Sequence, residues 1–182
     1  MKLLLESRMG QWLAATFTIA VIGIVYWPTL SAGFAADDWA VIVNNRQTYE
    51  DPKSLFDFFT SGVWANTAIR NDGASIYRPL WLVWNFSIYH LVATDPQWWH
   101  ASNIVLHSVN ILLLTLLASK LFPQASRLLV FAGILLFAAH PLCVESVAWV
   151  SASTDLLLTA FIVSSLIFFV SYRKSATRGY LF

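Results

Sequence analysis

The sequence predicts an all-α integral membrane protein with about four transmembrane helices in a single membrane domain, residues 1–182. Hydrophobic residues make up 58% of the chain and charged residues 12%, about half of the roughly 25% that is usual in soluble domains. Four apolar runs have about the length that crosses a hydrocarbon core of roughly 30 Å: 12–30, 100–121, 127–142 and 155–172. A soluble domain of this size could not hide so much apolar surface from water.

Charge and cysteine content exclude several classes of function. A formal net charge of +1 leaves no basic field for nucleic acid. The single cysteine, Cys143, excludes an intramolecular disulfide framework and a multi-cysteine zinc site.

The first apolar run lies in an uncharged stretch from Gln11 to Ala36 and ends at Tyr26-Trp27-Pro28. A cleaved signal peptide is the alternative interpretation. Signal peptides have an apolar core of about 7–15 residues followed by a small-residue cleavage site. The longer run favours an uncleaved anchor helix.

Residues 31–99 form a polar and aromatic loop between the first and second spans. Asp51-Pro52 predicts the start of a short interfacial helix at 53–59, with Asp51 as its N-cap and Leu55, Phe58 and Phe59 on one side. A turn is predicted at 71–73. Residues 79–93 are apolar but short for a span, so we expect an amphipathic helix on the membrane surface; a re-entrant or spanning segment is the alternative.

The basic residues indicate the orientation of the chain. With a cytoplasmic N-terminus and four spans, the inside segments hold seven of the 11 basic residues and one of the 10 acidic residues. Cytoplasmic loops carry such an excess of Lys and Arg. We therefore expect the loop 31–99 to face the periplasm from a bacterial inner membrane, or the lumen if the membrane is that of the endoplasmic reticulum.

Two motifs in the loop suggest chemistry. Asp37-Asp38 follows the first span, where adjacent carboxylates repel and one is suited to act as a general base. Holding a divalent cation or capping a helix are the alternatives for this pair. Tyr77-Arg78-Pro79 places one guanidinium, whose planar fork suits phosphate oxygens, at the start of the surface helix. Snorkelling of Arg78 to lipid headgroups is the alternative.

The later spans carry polar residues that are costly in a membrane. His100, Asn103, His107 and Asn110 recur at helical spacing, so they share one face. That face is expected to line a cavity or to form interhelical hydrogen bonds. His140-Pro141 breaks the third span, and Glu145 and Asp155 follow. These two acids and His140 are candidate cavity-lining residues, and a pair between His140 and Glu145 is the structural alternative.

The ordered set of motifs resembles the N-terminal part of the multispanning membrane glycosyltransferases that use lipid-phosphate sugars. The tetratricopeptide-repeat transmembrane O-mannosyltransferases and their bacterial relatives are the most similar, over about residues 12–174. The resemblance implies catalysis by Asp37 and Asp38, contact of Arg78 and Tyr77 with a polyprenyl- or dolichyl-phosphate sugar, and a protein or glycan acceptor. It implies no certain cofactor, and membrane lipid is a further expected partner.

The sequence departs from this pattern in three places. Relatives often have His where Cys143 stands, and an Arg-bearing stretch where this chain has Ala152-Ser153-Thr154. They are also much longer, so we expect a fragment, a truncated product or a reduced relative. The predicted function is transfer of a sugar, such as mannose, to a hydroxyl outside the cytoplasm. A non-catalytic module packing beside a full transferase and a small transporter are the alternatives.

Overall fold

The computed structural model describes residues 8–65 and 76–179, so the turn predicted at 71–73 lies outside the described residues. Within these ranges the secondary structure is entirely helical. The helices are α1 (Arg8–Tyr26), α2 (Arg46–Glu50), α3 (Ser54–Asp57), α4 (Pro79–Val92), α5 (Pro96–Leu121), α6 (Arg127–Ala138), α7 (Val144–Ala148) and α8 (Ser153–Gly179). The connections include 3₁₀ turns at Trp27–Ser31, Pro141–Cys143 and Val150–Ala152, and a π-helical turn at Trp39–Val43.

The described helices include three that are long and apolar enough to cross a membrane. These are Leu13–Ser31, Pro96–Leu121 and Val150–Ser175, and a fourth crossing is present if Arg127–Ala138 and Pro141–Ala148, bent by 48°, form one span. The expectation of about four spans therefore agrees with a count of three or four. The break falls at His140-Pro141, where proline lacks the N–H that would continue the helical ladder.

Helices α5 and α8 run side by side in the same direction. Asn110 on α5 contacts Leu156 in the first turn of α8, and Lys174 reaches the carbonyl of Lys120 near the other ends of the two helices. One buried cluster joins α1, α5, α6, α7 and α8. Its members are Ile22, Tyr26, Leu106, Ile111, Ala138, Val147 and Leu156.

The loop between α1 and α5 has a core of its own, where α2 and the residue after α3, Phe58, pack against α4. Its buried residues are Val41, Tyr49, Phe58, Val63, Trp81 and Leu82. Burial raises the pKa of the Tyr49 phenol well above its ordinary value, so this side chain stays neutral. The N-terminus of α4 is thereby held close to the chain that follows the first span.

The interfacial helix is shorter than the sequence predicts. Helix α3 covers four residues, and the Asp51 carboxylate accepts a hydrogen bond from Lys53 N–H at 3.0 Å, which caps a turn before the helix rather than the helix itself. Phe58 is 1% exposed, whereas Phe59 is 48% exposed. The predicted apolar side is therefore wrong in part, because the chain leaves the helix before Phe59 can join that face.

The orientation can be tested by cysteine labelling in a Cys143→Ala background. Thr60 and Gln124 are both exposed, and the predicted topology places them on opposite sides of the membrane. Because basic residues favour the cytoplasmic side, Thr60→Cys should react with a membrane-impermeant maleimide from outside. Gln124→Cys should react only after permeabilisation. Labelling in the reverse sense would contradict the orientation.

Candidate functional site

The polar face of α5 donates hydrogen bonds to backbone carbonyls of neighbouring segments. Asn103 Nδ2 donates to the carbonyls of Val147 at 3.3 Å and Trp149 at 3.1 Å. His107 Nε2 donates to the carbonyl of Ala138 at 3.1 Å. Asn103 and His107 are 0% and 2% exposed, so these bonds form in the protein interior.

The other two members of this face bind in the same way. Asn110 Nδ2 donates to the carbonyl of Leu156 at 2.9 Å, and His100 Nε2 donates to that of Gly33 at 3.4 Å. Since a carbonyl oxygen can only accept, each bonding histidine nitrogen carries the proton. Interhelical hydrogen bonding, which the sequence left open, is therefore the arrangement observed for this face.

The carbonyls that Asn103 and His107 reach lie where helices end. Ala138 is the last residue of α6, and Val147 and Trp149 are at the end of α7. The last carbonyls of a helix have no partner within it, and such groups are costly in a low-dielectric region. Helix α5 thus stabilises the broken path from α6 to α8.

His140, Glu145 and Asp155 lie along this broken path. His140 Nδ1 accepts a hydrogen bond from Leu142 N–H at 3.2 Å and so caps the 3₁₀ turn. Glu145 and Asp155 are exposed, and Asp155 Oδ2 accepts a 3.4 Å bond from the Ser146 hydroxyl. The structure therefore shows a local role for His140 rather than the pair with Glu145.

The two acids of the pair, Asp37 and Asp38, have different environments. Asp38 is 0% exposed. Its Oδ1 accepts hydrogen bonds from the backbone N–H of Ser151 at 2.8 Å and from the Ser151 hydroxyl, and its Oδ2 accepts from Ala35 N–H at 3.0 Å. Asp37 is half-buried and has no hydrogen-bond or ion-pair partner among residues 8–65 and 76–179. Of the two carboxylates, Asp37 is the one that keeps its acceptor capacity.

The residue before Asp37 has an unusual backbone conformation. Ala36 has a φ of 48°, in the left-handed region that costs a residue with a Cβ roughly 1–2 kcal/mol. The turn is held by Asp38 N–H, which donates to Ala35 at 3.0 Å, and by the indole of Trp149, which donates to the same carbonyl at 3.4 Å. Asp37 is therefore presented from a turn that its surroundings hold in place.

Arg78 and Tyr77 precede α4 on the exposed surface. Arg78 Nη1 donates to the Thr154 hydroxyl at 3.4 Å, and two residues into the helix Trp81 Nε1 donates to the Ser153 hydroxyl at 2.8 Å. Tyr77 donates to the Phe59 carbonyl at 3.0 Å while its ring stays 59% exposed. The guanidinium makes no ion pair with any acid in the part of the chain that the structure describes.

Sequence reasoning missed the segment that connects these residues. Ser151, Ser153 and Thr154 bond to Asp38, Trp81 and Arg78 respectively, although the sequence pattern marks 152–154 only as a departure from the Arg-bearing stretch of similar proteins. The signal was the run Ser151-Ala-Ser-Thr just before an apolar span, because hydroxyl residues favour helix N-termini. The segment 149–154 therefore supplies the hydrogen-bond partners that hold the candidate site together.

A divalent cation at the acidic pair does not fit these contacts. Both Asp38 oxygens are occupied by protein donors, and Mg²⁺ and Ca²⁺ need several oxygen ligands. The described residues contain no group of three or more His, Cys, Asp or Glu side chains that could hold one metal ion. Among the described residues, Asp37 therefore belongs to no such group.

Fold and site together define an integral membrane protein of the all-helical class, with a polar site where a loop meets the start of a membrane helix. Three relatives show what the chain is similar to. The chain is 31% identical to human protein O-mannosyl-transferase TMTC1 over 96% of its own length and 20% of that protein's. It is 31% identical to Caenorhabditis elegans protein O-mannosyl-transferase F38B6.6 over 93% of its length and 25% of the relative's. It is 33% identical to Drosophila melanogaster protein O-mannosyl-transferase Tmtc1 over 85% of its length and 17% of the relative's.

These homologues are TMTC-type protein O-mannosyltransferases, which confirms the resemblance to transmembrane O-mannosyltransferases. The chain spans about a fifth of the length of the first of them. No protein-family model matches the chain. No solved structure matches it either.

Removal of the Asn103 amide should destabilise the bundle. Asn103→Leu keeps the side-chain size but leaves the carbonyls of Val147 and Trp149 without this donor, at a cost of about 1–3 kcal/mol for a buried unsatisfied group. Ser108→Ala is the control, because that hydroxyl bonds within α5 to Ile104, and its effect should stay within about 0.5 kcal/mol. Unfolding in detergent measures both, and equal stabilities would contradict the role of Asn103.

Proposed function

We propose that this chain forms the part of a protein O-mannosyltransferase that holds the catalytic base and the donor phosphate. The reaction is transfer of mannose from a polyprenyl- or dolichyl-phosphate donor to an acceptor hydroxyl, of a protein or of a glycan on it, on the extracytoplasmic side. The names of the relatives support the sugar and the protein acceptor. The lipid-phosphate donor is supported by the exposed cation beside the membrane helices.

The observation that carries this proposal is that two elements far apart in sequence are hydrogen-bonded to the same short segment, residues 151–154. The turn that presents Asp37 is bonded to Ser151 through Asp38, and the start of α4 is bonded to Thr154 through Arg78. Three residues of chain span at most about 10 Å. A free carboxylate and an exposed guanidinium are thus fixed to neighbouring points on one short segment.

The chemistry proposed for Asp37 is proton acceptance. Its carboxylate takes the proton of the acceptor hydroxyl while that oxygen forms a bond to the anomeric carbon of mannose. The bond from the anomeric carbon to the donor phosphate oxygen breaks, and its electron pair leaves with the lipid phosphate. The products are a mannosylated acceptor, the lipid phosphate and a protonated Asp37, which returns its proton to water.

The role proposed for Arg78 is to stabilise the charge that grows on the departing phosphate. Its bond to Thr154 is long, at 3.4 Å, and made to a neutral hydroxyl, so a phosphate oxygen would be a stronger partner. The N-terminal end of α8, a 27-residue helix, adds a favourable dipole next to it. The exposed ring of Tyr77 supplies an apolar surface for the donor lipid.

The alternatives receive less support. A transporter would need polar groups along its path, but the histidine and asparagine donors of α5 are used on backbone carbonyls. A non-catalytic module would need no free carboxylate on a turn held as tightly as this one. The names of the relatives also favour an enzyme.

Replacing Asp37 with Asn tests the proposal. The variant keeps size and most hydrogen bonding but cannot accept the proton, and a positioned base contributes about 10²–10⁴-fold in rate. Asp57→Asn is the control, because Asp57 is an exposed carboxylate on the same loop. Mannosyl transfer from polyprenyl-phosphate mannose is measured in proteoliposomes, with this chain and with the aligned substitutions in a full-length relative. Undiminished transfer by Asp37→Asn would refute the assignment.

A further inference from the structure

The contacts of Asp38 suit a structural role and do not suit a general base. Its two oxygens accept three hydrogen bonds, from the Ser151 N–H, the Ser151 hydroxyl and the Ala35 N–H. The side chain is completely buried. A buried carboxylate with this many donors has no open side from which an acceptor hydroxyl could reach it.

Asp38 connects two segments that the sequence separates widely. Ala35 lies just after the first span, and Ser151 lies 113 residues beyond Asp38, in the turn before α8. A further contact joins the same two segments beside Ala36, because the indole of Trp149 donates to the carbonyl of Ala35. We call the set Asp38, Ser151 and Trp149 the latch.

The latch explains how the unfavourable conformation at Ala36 persists. A residue with a Cβ adopts positive φ only where surrounding contacts compensate for the strain. Contacts to Ala35 and Asp38 lie on either side of Ala36 and Asp37, so they fix both ends of the two-residue turn. Release of the latch would let Ala36 relax to negative φ, which would turn the Asp37 side chain away.

We propose that Asp38 and Ser151 are positioning residues whose task is to hold Asp37 toward the reacting acceptor. The inference rests on the proposed function, because it assumes Asp37 as the base. It assigns different roles to two adjacent aspartates and a functional role to a serine that no motif singled out. The latch acts on the geometry of Asp37 and leaves the donor contact at Arg78 in place.

A labelling experiment tests the latch without any need for activity. Asp37→Cys in the Cys143→Ala background reports how far position 37 is exposed, through its rate of reaction with a small methanethiosulfonate reagent. Loss of a hydrogen bond to a charged group should shift the opening equilibrium by about tenfold or more. Ser151→Ala should therefore raise the labelling rate severalfold, and Ser151→Thr, which keeps the hydroxyl, should restore it.

The controls separate local release from general unfolding. Ser119→Ala removes a hydroxyl at the far end of α5 and should leave the rate unchanged. Trp149→Phe removes the indole donor but keeps an aromatic ring, so it should raise the rate even if Ser151→Ala does not fold. Equal labelling rates in the parent, Ser151→Ala and Trp149→Phe would overturn the latch.

Transfer kinetics then test its purpose. Ser151→Ala should lower kcat about tenfold or more with little change in the KM for the donor, and Ser151→Thr should recover it. Added to Asp37→Asn, Ser151→Ala should lower kcat no further, because the base that it positions is gone. A full additional loss would overturn the positioning role. If no variant including the parent transfers mannose, the proposed function fails while the labelling result still decides the latch.

Discussion

The constraint on which this structure depends is that backbone carbonyls at a broken helix must find donors inside an apolar bundle. Pro141 interrupts the third apolar run, and the chain needs 14 residues, 139–152, to pass from the end of α6 to the start of α8. Ala138 and Val147 are completely buried, so water does not satisfy their carbonyls. The amide of Asn103 and the ring of His107 supply the donors. The break between α6 and α8 therefore depends on the polar face of the neighbouring helix, α5.

The break has a consequence at the edge of the bundle. Because the chain does not continue as one helix, residues 149–154 form a short segment whose hydroxyl and N–H groups bond to the loop. The turn after the first span attaches to this segment through Asp38, and α4 attaches through Trp81. Two parts of the loop that are 40 residues or more apart thereby meet at the start of α8. The site is thus a product of the interruption in the span.

Hydropathy and residue types sufficed for much of the fold. The apolar runs predict the long helices, Pro141 predicts the break, and the spacing of the α5 polar residues predicts a common face. Helix α5 begins earlier than its apolar run, because Pro96 occupies its first position and the Asp95 carboxylate accepts from Gln97 N–H. The length of α3 depends on how the loop packs against α4, which residue pattern alone does not determine.

The site was less predictable, for a physical reason. Asp37 and Asp38 are identical in sequence terms, and their environments differ through Ser151, which is remote in the chain. Likewise the hydroxyls at 151–154 look like ordinary helix-cap residues until the loop is placed beside them. Candidate site residues can be predicted from residue type and from position near a span. Their individual roles depend on which residues they contact in the folded protein.

The most direct measurement of the central claim is a structure of a full-length relative with a non-transferable polyprenyl-phosphate mannose analogue bound. We expect the analogue's phosphate on the residue aligned with Arg78. We also expect the anomeric carbon to face the residue aligned with Asp37, and the residue aligned with Asp38 to bond to the segment before the fourth apolar run. A donor bound elsewhere, or one facing the second aspartate while the first is buried, would contradict the account.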